Sequence, residues 1–267
     1  MQKTPRAESV LFLDSGIGGI PYYRHFRGRN PNRAADYLAD RVNFPYGGRD
    51  AGELRSILAA LVERIGRDIS PGIVALACNS ASIAALADLR GRFPQTRFVG
   101  TVPAVKPAAL ASRTGRIAVL ATELTARDPY IRELGERHGG REIVGIAAPE
   151  LVDFVENRLD SAGADERASI ARGYIDRARE SGADALVLGC THFLFMEEDF
   201  RREAAPDVAV FDSLCGISDR LESLLPPPGG GAPKPGRLYL TGSDRPEPSW
   251  ELWAQRMGCE ISLLEEL

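Results

Sequence analysis

The chain has 267 residues, 26% of them charged, with a formal net charge of −4 and a pI near 5.6; it is long enough for two modest domains or one large one and lacks the basic footprint of a nucleic-acid partner. No apolar run has the length of a bilayer span, and the start Met1-Gln2-Lys3-Thr4-Pro5-Arg6 lacks the apolar core of a secretory signal, so a cytoplasmic protein with no membrane partner is expected. Cys78, Cys190, Cys215 and Cys259 are widely spaced without a Cys-x-x-Cys pair, and His25, His138 and His192 are scattered, so neither a disulfide framework nor a metal site is expected.

Strand-like runs alternate with helix-like segments along nearly the whole chain. Val10-Leu11-Phe12-Leu13 leads into the Gly-rich turn Asp14-Ser15-Gly16-Ile17-Gly18-Gly19, and Asp36-Tyr37-Leu38-Ala39 leads into Asp40 and a Pro-Tyr-Gly-Gly loop. Between residues 52 and 67, Leu54, Ile57, Leu58, Leu61 and Ile65 recur with the 3.6-residue period of a helix. A strand over 73–77, a helix over 81–92 and a strand over 97–99 follow, and Thr101-Val102-Pro103 reads as a crossover. A second set comprises a strand over 117–120, a helix near 128–138, a strand over 142–146, helices near 150–157 and 165–180, and a strand over 185–188. After a strand over 207–211, a short helix near 217–225 enters the Pro/Gly-rich segment 226–233, an exposed loop. The last strands, 237–240 and 260–264, return to the first domain.

Such alternation predicts an α/β fold with mostly parallel sheets. Two similar cysteine-ending strands, and the echo of Phe12-Leu13-Asp14-Ser15-Gly16 in Val210-Phe211-Asp212-Ser213, suggest two pseudo-symmetric domains. The expected boundaries are residues 1–103 with 217–267, carrying Cys78, and residues 104–216, carrying Cys190.

Two thiols carry the chemical signal. Cys78 ends the run Ile73-Val74-Ala75-Leu76-Ala77 and is followed by Asn79-Ser80; Cys190 ends Ala185-Leu186-Val187-Leu188-Gly189 and is followed by Thr191-His192. Buried parallel strands read as such runs, and open α/β sheets bind ligands at the carboxyl ends of their strands. A buried cysteine is commonly inert, but placement before a helix start lowers a thiol's pKa. The residues that follow each thiol are also suitable donors to a carboxylate. Cys215 and Cys259 lack such followers and read as structural or incidental. Paired opposing thiols suit a reaction that takes a proton from one face of a carbon and returns one to the other.

The remaining motifs each admit two readings. Asp14-Ser15-Gly16 either turns the chain and caps a helix or holds an anion; it lacks the lysine of a P-loop and the glycine spacing of a dinucleotide site. Asn43-Phe44-Pro45-Tyr46-Gly47-Gly48 is a proline-set turn, or a ligand loop in which Tyr46 offers an O–H and Gly47 lets backbone approach closely. His192 is a core or capping residue, or the proton partner that poises Cys190. Glu156, in Leu151-Val152-Asp153-Phe154-Val155-Glu156, reads by itself as a solvated helix residue. A pyridoxal-phosphate enzyme needs a Schiff-base lysine. The chain offers Lys3 at its start, Lys234 in the Pro/Gly segment and Lys106 between Pro103 and Pro107, so no such cofactor is expected.

Taken together, four ordered stretches resemble the aspartate/glutamate racemase family: Phe12-Leu13-Asp14-Ser15-Gly16-Ile17-Gly18-Gly19, Phe44-Pro45-Tyr46-Gly47, Ala77-Cys78-Asn79-Ser80-Ala81 and Leu188-Gly189-Cys190-Thr191-His192. Weaker matches are Val119-Leu120-Ala121-Thr122 with Thr125, the helix ending at Glu156, and Tyr239-Leu240-Thr241-Gly242. The resemblance runs from Val10 to about Asp244. It implies a cofactor-independent racemase with its active site in a cleft between the two domains, interconverting L- and D-glutamate and supplying D-glutamate for peptidoglycan. By the same resemblance Cys78 deprotonates D-glutamate and Cys190 deprotonates L-glutamate. Asp14 and His192 assist the thiols, with Glu156 near His192. Ser15, Pro45, Tyr46, Gly47, Asn79, Ser80, Thr122, Thr125 and Thr191 bind the substrate. A homodimer is the default assembly.

The chain departs from the family pattern in places. Ser80 stands where Thr is usual after Cys-Asn, and Asp153-Phe154-Val155-Glu156 stands for Pro-Leu-Val-Glu. Asp40-Arg41-Val42 replaces Asp-Thr-Ala. Arg41 either alters the length of acid accepted or points to solvent. Aspartate, another acidic amino acid, or binding of an acid without catalysis are therefore the alternatives.

Overall fold

The apolar runs become the strands of two parallel sheets. The computed structural model describes residues 6–139, 141–227 and 232–264, so Lys3 and the middle of the 226–233 segment lie outside the described residues. The chain divides into two compact units, residues 1–101 with 214–267, and residues 102–213. In chain order the first unit contains β1 (Arg6–Asp14), α1 (Ile20–Arg29), β2 (Ala35–Ala39), α2 (Ala51–Asp68), β3 (Pro71–Leu76), α3 (Asn79–Arg92) and β4 (Arg97–Gly100). The second contains α4 (Val105–Ala111), β5 (Arg116–Ala121), α5 (Glu123–Arg127), α6 (Pro129–Arg137), β6 (Glu142–Ala147), α7 (Pro149–Asn157), α8 (Ala164–Glu180), β7 (Ala185–Leu188), α9 (Glu197–Ala204) and β8 (Ala209–Phe211). The chain then returns to the first unit with α10 (Leu214–Leu224), β9 (Gly236–Thr241), α11 (Pro248–Met257) and β10 (Cys259–Leu264).

The first sheet has the order β10-β9-β2-β1-β3-β4 and the second β6-β5-β7-β8, and every neighbouring pair is parallel. Counting strands within each unit, both sheets place second, first, third and fourth side by side. Cys78 follows the third strand of its unit and Cys190 the third of its own. The echo between Phe12–Gly16 and Val210–Ser213 is not part of this correspondence. Val210 and Phe211 belong to β8, a fourth strand, and the residue that follows the first strand of the second unit is Thr122.

Burial explains the strands. Val10 to Leu13 are wholly inaccessible, and β1 is paired on both sides, Leu11 standing opposite Asp36 of β2 and Val74 of β3. Phe12 packs edge-on against Tyr23 and tilted against Phe26 of α1, with ring centroids 5.8 and 5.6 Å away. Each such fully buried side chain contributes about 1.5–3 kcal/mol. On α2 the buried residues Leu54, Leu58, Leu61, Val62 and Ile65 form one face, and the Asp50 carboxylate caps the helix by accepting from the Gly52 and Glu53 N–H groups at 2.7 and 3.3 Å. Periodicity does not foresee α1, α4, α5, α9 or α11. Among them α1 carries Pro21 and Gly28 and α4 carries Pro107, while α9 reads Glu-Glu-Asp-Phe-Arg-Arg-Glu-Ala with little apolar pattern. None of the described helices is long and apolar enough to cross a membrane.

At the amino end of β7, Asp184 ties the second unit together. Its carboxylate accepts from the Ser112 hydroxyl at 2.6 Å, the Arg113 and Thr114 N–H groups at 2.7 and 3.2 Å, and the Thr114 hydroxyl at 3.1 Å. Burial works against the charged form, but these donors outweigh it and hold the carboxyl at about 2, below its ordinary 3.8. A carboxylate depressed in this way stabilises the fold above its unfolded value, and that contribution disappears as pH falls through the folded one. Asp184→Ala is therefore expected to lower stability by about 2 kcal/mol, the worth of hydrogen bonds to a charged group. Urea titrations should find the deficit full at neutral pH and shrinking as pH is lowered from 3.8 toward 2.

Candidate active site

In the first unit the polar residues collect where β1, β2 and β3 end. Asp14, fully buried at the end of β1, accepts at Oδ1 from the Gly16 N–H at 3.0 Å and the Ser15 hydroxyl at 3.4 Å. Ser15 in turn accepts from the Tyr46 N–H at 3.5 Å, so the first and second motifs of the sequence meet. The Phe44–Pro45 peptide is cis; Pro45 is exposed and Gly47 half-buried beside the buried Tyr46. Tyr46 does not offer its O–H freely, because that group donates to Asp40 Oδ2 at 2.6 Å. Burial first, then the Asp40 charge and hydrogen bond, then the nearby Cys78 and Asp14, push the phenol well above its ordinary pKa. The Tyr46 hydroxyl is thus committed to Asp40.

Cys78 is 8% exposed and occupies the N-cap of α3 with extended backbone, its side chain making no capping bond. The first N–H groups of a helix lack intrahelical acceptors, so the thiol stands at the positive end of a fourteen-residue helix. Asn79, the first helical residue, is 3% exposed, and neither its Oδ1 nor its Nδ2 has a hydrogen-bond partner among the described residues. A buried amide without partners costs about 1–3 kcal/mol. Its donor and acceptor together suit a ligand that carries both a carboxylate and an ammonium group. Ser80 is buried beside it.

The second unit repeats the plan with different support. Thr122 follows β5 and caps α5, its hydroxyl accepting from the N–H of the buried Thr125 at 3.4 Å. Cys190 follows β7, and the residues after it form a six-residue 3₁₀ turn, Thr191–Met196, rather than an α-helix. The helix-start argument made for both thiols from the sequence thus applies to Cys78 and not to Cys190. Its polar neighbours are side chains instead: the His192 Nδ1 lies 3.8 Å from the Cys190 Sγ, and His192 Nε2 lies 2.6 Å from Glu156 Oε1 of α7. Burial opposes a charged imidazole, yet the bonds to Cys190 and Glu156 outweigh it and hold His192 well above 6.5. Cys190, His192 and Glu156 form a line along which a proton can be shared. Thr191 is buried next to it.

Gly189 admits this placement. A Cβ there would lie 2.8 Å from Val119 Cγ1 and 3.0 Å from the Leu120 carbonyl, so the turn into Cys190 runs flush against β5.

Several supporting residues escape sequence reasoning. Tyr37, buried in β2, donates its O–H to the Gly16 carbonyl at 2.8 Å and accepts from the Gly19 N–H at 3.1 Å, pinning the Asp14–Gly19 turn. In a strand a tyrosine reads as core, and only its hydroxyl partners reveal this duty. Asp40 ends β2 as Asp14 ends β1, a parallel that could have marked it. Arg41 does not point freely to solvent. Its Nε donates to the Thr241 carbonyl at 2.7 Å, Nη2 to the Asp244 carbonyl at 2.6 Å, and Nη1 pairs with Glu247 at 3.2 Å, fastening the loop after β9. Among the described residues no cluster of His, Cys, Asp or Glu could hold a metal ion.

Each of two parallel α/β units thus places a buried thiol just beyond its third strand, followed at once by amide, hydroxyl or imidazole groups. The chain belongs to the Asp/Glu/Hydantoin racemase family, whose model matches residues 31–214, and is thus an amino-acid racemase, an isomerase. It is 39% identical over 268 residues to a glutamate racemase of Rhizobium meliloti (strain 1021), covering 98% of this chain and 95% of the relative. It is likewise 39% identical over 223 residues to one of Roseiflexus sp. (strain RS-1), covering 82% and 80%. Among solved structures it is similar to Escherichia coli glutamate racemase in complex with L-glutamate and the activator UDP-MurNAc-ala, with a TM-score of 0.82, 28% identity and coverage of 99% and 100%. A glutamate racemase isoform of Bacillus anthracis gives a TM-score of 0.81 at 26% identity, with 97% of each chain covered.

The His192–Glu156 pair generates a prediction with a definite sign. A histidine raised above its ordinary 6.5 stabilises the fold below that pH, and the contribution is lost as pH rises through the folded value. Glu156→Gln should lower the His192 pKa, read by NMR titration of the imidazole. It should cost about 2 kcal/mol of stability in mildly acidic solution, the worth of a hydrogen bond to a charged group, with the gap narrowing in alkali.

Proposed function

We propose that the chain interconverts L- and D-glutamate by a two-base mechanism in which Cys78 and Cys190 act on opposite faces of one α-carbon. The observation that carries this reading is the matched pair of buried thiols, each closing the third strand of a parallel sheet. Glutamate is favoured because relatives covering nearly the whole chain are glutamate racemases. The commitment of Arg41 to the 241–247 loop also removes the departure that had suggested an acid of another length.

The α-proton of an amino acid is too weakly acidic for a thiolate in water, so the developing enediolate must be stabilised by donors set in place beforehand. Loss of one such donor costs about 2.7–4 kcal/mol. We assign these duties to Ser15, Asn79, Ser80, Thr191 and the backbone of Tyr46 and Gly47, with Pro45, Thr122 and Thr125 shaping the substrate's surroundings. One thiol starts as thiolate and the other as thiol, and they exchange states each turnover, so both must titrate near the working pH. Cys190 has the imidazole of His192, backed by Glu156, as its proton partner, and Cys78 has the free N–H groups at the start of α3. Cys78 takes the proton of D-glutamate and Cys190 that of L-glutamate. The scheme requires no cofactor, and its product D-glutamate would serve peptidoglycan synthesis in a bacterial cytoplasm.

The test is proton NMR with circular dichroism in D₂O, offering each enantiomer of glutamate and aspartate without added cofactor. Loss of the α-proton signal together with decay of optical activity is expected for glutamate; the same for aspartate alone would move the substrate, and silence with all four would overturn the reading. Cys78→Ala should abolish racemisation in both directions, and full racemisation by that variant would exclude the two-base scheme. Asn79→Leu should match or exceed the parent in thermal melting, because it removes a buried unpartnered amide, while turnover falls by about a hundredfold or more.

A further inference from the structure

The motif residues of the first unit do not hold one another in place unaided. Asp40, 1% exposed at the carboxyl end of β2, accepts from the Tyr46 O–H at 2.6 Å, from the Thr241 O–H at 2.8 Å, and from Asn43 Nδ2 on both oxygens at 3.1 and 2.9 Å. These donors are two hydroxyls and an amide. Thr241 also accepts from the Val42 N–H at 3.3 Å, so its hydroxyl joins the start of the Tyr46 loop to the end of β9. A carboxylate only accepts, which fixes the direction of every one of these bonds, and a buried carboxylate is tolerated only when so surrounded.

We propose that Asp40 is a positioning residue for the racemase reaction, holding the Tyr46–Gly47 backbone at its working place by anchoring Tyr46 through its hydroxyl and Thr241 through its own. The inference rests on the proposed role of Tyr46 and Gly47 in binding the substrate. Tyr46 is the link in both directions: its O–H goes to Asp40, and its N–H goes to Ser15, which leans on Asp14. Asn at position 40 is the same size but puts an N–H₂ where an acceptor is required, so at least one hydroxyl loses its acceptor and the ring its anchor. A shift of about 1 Å in a binding group weakens turnover by up to about a hundredfold.

The experiment compares the parent, Asp40→Asn, Tyr46→Phe, their double variant and Thr241→Val. Steady-state kinetics on glutamate are paired with hydrogen–deuterium exchange over residues 43–49. Asp40→Asn and Tyr46→Phe are each expected to raise KM about tenfold and to lower kcat as well, because the displaced backbone donors both hold the substrate and stabilise the enediolate. The double variant should be no worse than either alone, since both cut one bond, and Thr241→Val should shift KM in the same direction. Exchange over 43–49 should quicken in all of them. Unchanged KM in Asp40→Asn, additive effects in the double variant, or unchanged exchange would overturn the proposal. If Asp40→Asn does not fold, Tyr46→Phe and Thr241→Val decide alone, and parental KM and exchange in both would overturn it. A parent inactive on glutamate contradicts the substrate reading instead, and the exchange measurement still decides the role of Asp40.

Discussion

Parallel strands covered on both faces can present polar chemistry only where they end, and the groups assigned to the reaction, Glu156 of α7 apart, are found at such ends or in the loops beyond them. Val, Leu, Ile, Ala and Phe with almost no accessible surface fill the interiors of β1, β3, β5 and β7, and the buried Asp36 of β2 is met by the Arg237 N–H at 3.0 Å. An ionisable side chain there would face a desolvation cost without partners. At the carboxyl ends the chain turns, backbone N–H groups become available, and small residues let the turn pass close to the neighbouring strand. Gly19 against Ala77 and Gly189 against Val119 are the two tightest examples beside the thiols.

The two halves answer the same demand with different physics. Cys78 draws on a helix start and a cradle of neutral or backbone donors, while the carboxylates around it, Asp14 and Asp40, are held by hydroxyls, an amide and an N–H group. Cys190 has no α-helix behind it and draws on an imidazole backed by a carboxylate. A support made of backbone dipoles is insensitive to pH; one made of His192 and Glu156 is not.

Much of this was legible in the residues. Each strand expected from an apolar run is present, because a buried parallel strand needs uninterrupted apolar side chains and little else. Helices were legible where one face is continuous, as in α2, and illegible where proline, glycine or a polar sequence hides the face, as in α1, α4 and α9. For the site, Cys78 and Cys190 could be singled out because the residues after them differ from those after Cys215 and Cys259. Side chains whose duty depends on the direction of a hydroxyl could not. Tyr37 looks like core, Thr241 like the end of a strand, and Arg41 like a departure in the binding loop until its partners on the 241–247 loop are seen. The apparent repeat at Val210–Ser213 shows the opposite error, a local likeness without topological equivalence.

The order in which the chain leaves the ribosome gives the late return of β9 a further meaning. Residues 102–213 form a contiguous unit whose four strands are all available once residue 213 has emerged. The other unit must wait, because β2 lacks its outer neighbour until residues 236–241 arrive, and Asp40 lacks Thr241 until the same moment. Domains fold as units during synthesis, so the interrupted unit is completed last although it begins first. A nascent or truncated chain that stops short of β9 would carry both thiols and a finished second sheet, yet hold the Tyr46 loop without its outer support. The Tyr46 loop would reach its supported geometry only when synthesis is almost over.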